Sequence, residues 1–209
     1  NEEFAATIDW GLRIVNLLGW PAFVGLVVLA QPIIMALFMR GEFTETTVMQ
    51  VSYALYAYLC GLLSFMFIKI LAPGYYARQD TKTPVKIGVI AMVANMAFNL
   101  ILVGPFGHVG LAMATTLSAA LNAFLLWHGL RKRSLHQFNS DWIKPCFAIL
   151  LGVSCLAGLL LWHNALAVDW TQLPDLERVW RIALVVIAGV LVYFAGLFLG
   201  GFRPRMLKA

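Results

Sequence analysis

Long apolar runs separated by short polar stretches dominate the chain. Six of them approach or exceed the roughly 20 residues that a membrane-spanning helix needs. They run from about Trp10 to Phe38, Val48 to Ala72, Val85 to Val103, Val109 to Leu130, Pro145 to Trp162 and Val179 to Phe202. None alternates with a period of two, so strands are not expected. The pattern predicts an all-α, polytopic transmembrane helix bundle of six spans. The first run is long and carries Pro21 and Pro32, which predicts a tilt or a kink. Gly104-Pro105 is expected to end the third run, and the short link from Gly104 to Gly110 closes a tight antiparallel hairpin with the fourth. The last two runs hold no charge between Pro145 and Trp162 or between Ile182 and Phe202, which predicts peripheral helices facing lipid.

The polar island at residues 69–86 interrupts this pattern most sharply. Lys69, Arg78, Lys82 and Lys86 sit in it against the single anion Asp80. Pro73-Gly74 is expected to stop the run before it. Thr83 is expected to cap the run after it, with Pro84 at the first helical position. A loop this basic between spans reads as cytoplasmic, and also as a place to meet an anionic substrate. Lys69 lies inside the second run. Either it snorkels to the interface, or it faces an inner cavity and attracts phosphate.

Composition supports the membrane reading: 61% of residues are hydrophobic, 12% are charged and mean hydropathy is +0.82, whereas soluble domains are about half apolar and a quarter charged. The net charge of +5 follows from topology. With residue 1 in the cytoplasm, every Lys and Arg except Arg40, Arg178 and Arg181 falls on the cytoplasmic side. Glu42, Glu45, Asp169, Asp175 and Glu177 fall on the other. This is the positive-inside pattern. It places both ends in the cytoplasm and accounts for the basic balance without nucleic acid. Cys60, Cys146 and Cys155 lie in apolar runs without ligand spacing, so neither a metal nor a disulfide framework is indicated. His108, His128, His136 and His163 are scattered near span ends. No Ser/His/Asp set, paired carboxylate or Gly-rich phosphate loop supports an enzyme. Asn1-Glu2-Glu3 carries no initiator Met and no signal peptide, and a fragment of a longer chain is expected.

Polar side chains inside the third and fourth runs form a candidate seam. Asn95 and Asn99 share one helix face, and Thr115, Ser118 and Asn122 share another. Counted from Gly104 and Val109, Asn99 and Thr115 lie roughly 8–9 Å in, and Asn95 and Ser118 roughly 14 Å. The two faces are expected to meet at matched levels. Two readings stand. One is interhelical hydrogen bonding, with Gly110, Ala114, Ala119 and Ala123 permitting close approach. The other is an oxygen-lined site for substrate or cation, and uncharged oxygens suit a weakly held Na+ better than a divalent ion. Asn16 and Gln31 in the first run read as packing.

Two stretches carry a family resemblance. Leu37-Phe38-Met39-Arg40-Gly41-Glu42-Phe43-Thr44 resembles the LFxRGxFT signature of the MurJ (MviN) lipid II flippases. Leu71 through Lys86, with Pro73-Gly74-Tyr75-Tyr76-Ala77-Arg78-Gln79-Asp80-Thr81-Lys82-Thr83-Pro84 at its centre, resembles that family's most recognisable loop. Gly110-Leu111-Ala112 and Leu121-Asn122-Ala123 fit its next hairpin. The resemblance implies a fourteen-span protein of the multidrug/oligosaccharidyl-lipid/polysaccharide exporter superfamily, with two lobes around a central cavity. This chain would hold spans nine to fourteen. Residues 1–133 would supply four helices of the second lobe. Residues 134–209 would supply two additional helices forming a groove for the lipid tail. The implied activity is the flipping of undecaprenyl-pyrophosphate-linked peptidoglycan precursor from the inner to the outer leaflet of the bacterial cytoplasmic membrane. Its partners would be membrane lipids and the N-terminal lobe of the same protein, and it would need no cofactor apart from Na+. Lys69, Arg78, Lys82 and Lys86 become headgroup candidates. The family's sodium site uses an Asn and an Asp four apart and a Thr in the next span. Asn95, Asn99 and Thr115 occupy those places, and Asn99 in place of Asp removes a charge. A drug or polysaccharide exporter of the same superfamily, a membrane enzyme and a non-transporting scaffold are the alternatives.

Overall fold

The computed structural model describes residues 2–132, 142–166 and 169–203. The domain boundary expected at 133–134 and the cations Arg133, Arg205 and Lys208 lie outside the described residues, as does His136. Among the described residues six helices follow in order: α1 (Glu2–Phe38), α2 (Glu45–Leu59), α3 (Leu62–Ala77), α4 (Lys82–Lys132), α5 (Ile143–Ala165) and α6 (Asp175–Leu199). No strand occurs among the described residues. The protein is an all-helical, multi-pass membrane protein. Helices α1, α4, α5 and α6 are long and apolar enough to cross a membrane, and α2 with α3 makes a broken span interrupted at Cys60–Gly61. Pro21 and Pro32 both lie inside the continuous α1.

Helix α4 folds back on itself. Its one non-helical residue is Gly107, at φ 54° and ψ −130°, a conformation that the absence of a Cβ permits. Asn95 and Ser118 hydrogen-bond across 3.3 Å, although residues that far apart in a straight helix would be about 35 Å apart. The expected hairpin is therefore present, with limbs at residues 82–106 and 108–132, each about 37 Å long. Its turn is not at Gly104-Pro105. Proline's fixed φ is compatible with a helix, and membrane spans tolerate the carbonyl it frees, so the first limb continues past it to Gly107. With α4 counted as two limbs, the six expected spans are accounted for.

The chain forms two compact units. The first contains the described residues within Asn1–Gly19 and Ala57–Trp142, and the second contains Trp20–Tyr56 and Ile143–Arg203. In the first unit the start of α1 runs antiparallel to α3 at close range. A Cβ on Gly11 would lie 2.8 Å from Ile70, one on Gly19 2.6 Å from Leu63, and one on Gly74 2.7 Å from Ile8. Ile8, Leu12, Leu71, Tyr75, Ile87, Leu126 and Leu130 make the core there. Tyr75 is 1% exposed, and its hydroxyl donates to the Leu126 carbonyl at 2.8 Å.

That packing corrects the expectation that Pro73-Gly74 stops the second run. Both residues lie within α3. Burial of Gly74 against Ile8 and of Tyr75 in the core outweighs the lost bond and the ring–carbonyl clash at Pro73. The helix stops at Gln79 instead, which takes the left-handed φ of 59°. The Asp80 N–H reaches back to the Tyr75 carbonyl and the Gln79 N–H to that of Tyr76, the paired bonds of a Schellman stop. Capping of the next helix is corrected too. Asp80, not Thr83, is the acceptor: it takes the Thr83 N–H at 3.0 Å and the Thr83 hydroxyl at 2.7 Å. Stop and start thus share Asp80, and only residues 78–81 separate α3 from α4. Tyr75→Phe keeps the buried ring and deletes one hydrogen bond. We expect it to destabilise the full-length protein by about 1 kcal/mol, measurable as a lowered thermal midpoint in detergent with unchanged helicity.

In the second unit α5 packs on α6 through small residues. A Cβ on Gly196 would lie 2.8 Å from the Cα of Gly152, and one on Gly200 2.7 Å from the Cα of Ala148. Such spacing lets two helix backbones touch. Their other faces, including Leu150, Leu161, Leu191 and Phe198, are exposed. In the link before α6, Asp169 accepts the Thr171 hydroxyl at 2.6 Å and the Thr171 N–H at 3.0 Å. These bonds, the hydroxyl's first, hold its carboxyl below the usual carboxylate value. A lowered folded pKa gives a contribution that is complete above the unfolded value and is lost as pH falls through the folded one. Hydrogen exchange at the Thr171 amide is therefore expected to accelerate, relative to an Asp169→Asn control, as pH falls below the carboxylate range.

Candidate functional site

Three clusters of polar side chains sit on this frame. The first is the basic end of the first unit. Arg78, Lys82 and Lys86 are exposed around the short α3–α4 link. Arg78 caps α3 and lies over the Phe4 ring at 5.4 Å. The Asn95–Ser118 register carries Lys82 to the level of Arg131, whose guanidinium lies 5.3 Å from the Trp127 ring centroid. Trp142 fastens the end of this unit to α1. Its indole N–H donates to Asp9 at 2.7 Å, and Asp9 pairs with Arg13 at 2.7 Å.

Lys69 stands apart from that cluster. Because α3 continues to Ala77, Lys69 lies about 12 Å up the helix from its end, deeper than the sequence implied. It is exposed on α3. No carboxylate among the described residues pairs with Lys69, Lys82 or Lys86. The four headgroup candidates therefore divide into three at the rim and one along the helix.

The second cluster is the α4 seam. The Asn99 amide donates to Asn95 Oδ1 at 3.0 Å, the Asn95 amide to Ser118 Oγ at 3.3 Å, and the Ser118 hydroxyl to the Thr115 carbonyl at 2.9 Å. Asn95 and Ser118 thus meet at one level, each about 17 Å from the turn. Asn99 Oδ1 is buried and accepts no hydrogen bond. The Thr115 hydroxyl turns back to its own Leu111 carbonyl at 3.0 Å, and Asn122 lies beyond the bonded chain, half-buried. Three of the five seam residues therefore join through their side chains, Asn95, Asn99 and Ser118. Among the described residues no group of His, Cys, Asp and Glu could hold a metal ion.

The third cluster was not anticipated. Arg178 is 6% exposed and sits in the first turn of α6. It donates to the Thr171 carbonyl at 2.8 Å and to the Met39 carbonyl at 3.4 Å, and lies 3.5 Å from Asp175. Asp175 also pairs with Arg40 at 3.3 Å. The turn containing Arg40-Gly41-Glu42-Phe43 is thereby tied to the start of α6. One signal in the sequence pointed here: a cation in the electropositive first turn of a helix is misplaced unless other groups hold it.

The family described as Lipid II flippase MurJ matches residues 1–173. The chain is 46% identical over 209 residues to a probable lipid II flippase MurJ of Vibrio cholerae, covering 100% of this chain and 40% of that relative. It is 47% identical over 206 residues to the one from Haemophilus influenzae, covering 98% and 40%. It is 39% identical over 205 residues to the lipid II flippase MurJ of Burkholderia cenocepacia, covering 97% and 40%. The chain thus spans about 40% of the length of these relatives.

Proposed function

Since the chain belongs to the MurJ lipid II flippase family, we propose that it acts as part of a transporter that flips lipid-linked peptidoglycan precursor from the inner to the outer leaflet. The observation that carries this reading is similarity over the whole chain to relatives bearing that name. Residues 1–133 supply helices of the second lobe and residues 134–209 the two additional helices. An N-terminal lobe of the same protein completes the cavity. The transporter resides in the bacterial cytoplasmic membrane, with both ends of this stretch on the cytoplasmic side, in keeping with the placement of its Lys and Arg. Alternating access moves the substrate, and no covalent step is needed.

Headgroup recognition falls to the cations. Pyrophosphate is multiply anionic, and a lysine in a span attracts it strongly because few counter-ions or waters screen it there. Lys69 meets the headgroup in the cavity, and Arg78, Lys82 and Lys86 draw it in at the rim. Translocation of labelled precursor by the full-length protein in vesicles tests the reading. Precursor reaching the outer leaflet only when the protein is present supports it; unchanged flipping after depletion of the protein from cells overturns it.

The α4 seam suits a monovalent cation. Asn99 Oδ1 has an unused acceptor site, and Asn95 Oδ1 and Ser118 Oγ lie along the same bonded chain. Neutral oxygens hold Na+ weakly, without the carboxylates that a divalent ion demands. The thermal midpoint of the full-length protein is expected to rise with Na+ and not with K+. A flat response to both reduces the seam to interhelical hydrogen bonding.

A further inference from the structure

The break between α2 and α3 is held open by a residue from another helix. In an unbroken helix the Gly61 N–H would bond the Ala57 carbonyl, four residues back. Here the Gly61 N–H bonds the Tyr58 carbonyl at 2.9 Å instead. The Ala57 carbonyl is not left orphaned, because the Thr116 hydroxyl, from the second limb of α4, donates to it at 2.7 Å. Gly61 is buried at this point, and a Cβ there would meet Thr116 Oγ1 and Phe65 Cε2, each at 3.0 Å. An unsatisfied carbonyl inside a membrane is costly, so a break at this position requires a substitute donor. Thr116 is 8% exposed, and this bond is the task its hydroxyl performs.

We propose that the Ala57 carbonyl is a two-position switch and that Thr116 is the residue that positions it. In the broken form the carbonyl takes the Thr116 hydroxyl. In the straightened form it takes the Gly61 N–H, the helix becomes continuous, and Thr116 is released to bond within its own helix. The exchange keeps the carbonyl bonded in both forms, so the bend changes without leaving a backbone acceptor unsatisfied. A bistable element of this kind is how small local changes become large movements of packed helices.

The experiment measures the bend directly in the full-length protein in lipid nanodiscs. Spin labels attached to unnatural side chains at Thr46 and Tyr76 leave Cys60 in place. The span is bent by 40°, so straightening lengthens the distance between these sites by about 3 Å. Thr116→Val removes the donor while keeping the shape, and is expected to shift the distribution toward the longer distance. Thr116→Ser restores the hydroxyl and is expected to match the wild type. Gly61→Ala crowds Thr116 and favours continuous helix. It is expected to lengthen the distance as Thr116→Val does, and it decides the matter if the valine variant fails to fold. Overturning results are unchanged distances in Gly61→Ala and in any folded Thr116→Val, or a shift in Thr116→Ser as large as in Thr116→Val.

Discussion

Gly110→Ala in the full-length protein is expected to prevent formation of the α4 hairpin. A Cβ at this position would collide with the Leu102 carbonyl oxygen and carbon. Both belong to backbone, which has no rotamer by which to move aside. Ordinary overpacking costs about 1–3 kcal/mol. Here the two limbs themselves must separate, and with them the Asn95–Ser118 contact, so we expect at least about 3 kcal/mol, the top of that range. The measurement is the yield and thermal midpoint of monodisperse protein in detergent. Gly104→Ala is the control. Nothing lies within 4 Å of its added methyl, and alanine is the better helix former by about 1 kcal/mol. It should leave the midpoint unchanged or raise it. Equal midpoints for Gly110→Ala and wild type would mean that the limbs do not pack in this register.

Lys69→Glu is expected to cut precursor translocation more than tenfold while membrane insertion stays normal. Reversing one charge changes its interaction with an anionic headgroup from attraction to repulsion. At about 4 Å and an effective dielectric near 20, each of these is about 4 kcal/mol. Allowing for solvent around an exposed lysine, the loss is expected to exceed tenfold, about 1.4 kcal/mol. Lys69→Gln should lie between the two, and Arg78→Glu, at the rim, should cost less than Lys69→Glu. Inner-leaflet precursor accumulating in cells that carry the variant is the readout. Full complementation by both Lys69→Glu and Arg78→Glu would confine these residues to setting topology.

The spans were legible because each is a long apolar run, and apolar length is a property of the sequence alone. The meeting of Asn95 with Ser118 was also legible, since a short link fixes the relative depth of two antiparallel helices. The ends of helices were less so. Pro73-Gly74 and Gly104-Pro105 both carry the usual signals of a stop, yet both lie within helices. At Gly74 tertiary packing against Ile8 decides the matter. At the hairpin the turn falls on whichever residue can adopt a positive φ, and Gly107 lies only two residues beyond Pro105. Gln79 as the true stop of α3 gave no signal, because a left-handed glutamine is uncommon. The break at Cys60–Gly61 was missed for a different reason. It lies in an unbroken apolar run, and the hydroxyl that makes it tolerable comes from Thr116, far along the chain. Arg178 was legible as a charge on the outer side and as a cation in the first turn of a helix, but not as a buried one. Its burial depends on the Met39 and Thr171 carbonyls, which no local pattern reveals.

The bond from Arg178 to the Met39 carbonyl joins residues 139 positions apart, and the one from Trp142 to Asp9 joins residues 133 apart. Ribosomes extend chains at roughly 5–20 residues per second, so Met39 waits about 7 to 28 s for its partner to be made. During that interval the turn after α1 stands in the membrane interface without its clamp, and the N-terminal end of α1 without its tryptophan. Fastening of the turn after α1 and of the start of α1 is therefore late, waiting on residues made after α4. A chain cut before α6 would leave the turn after α1 without its Arg178 clamp.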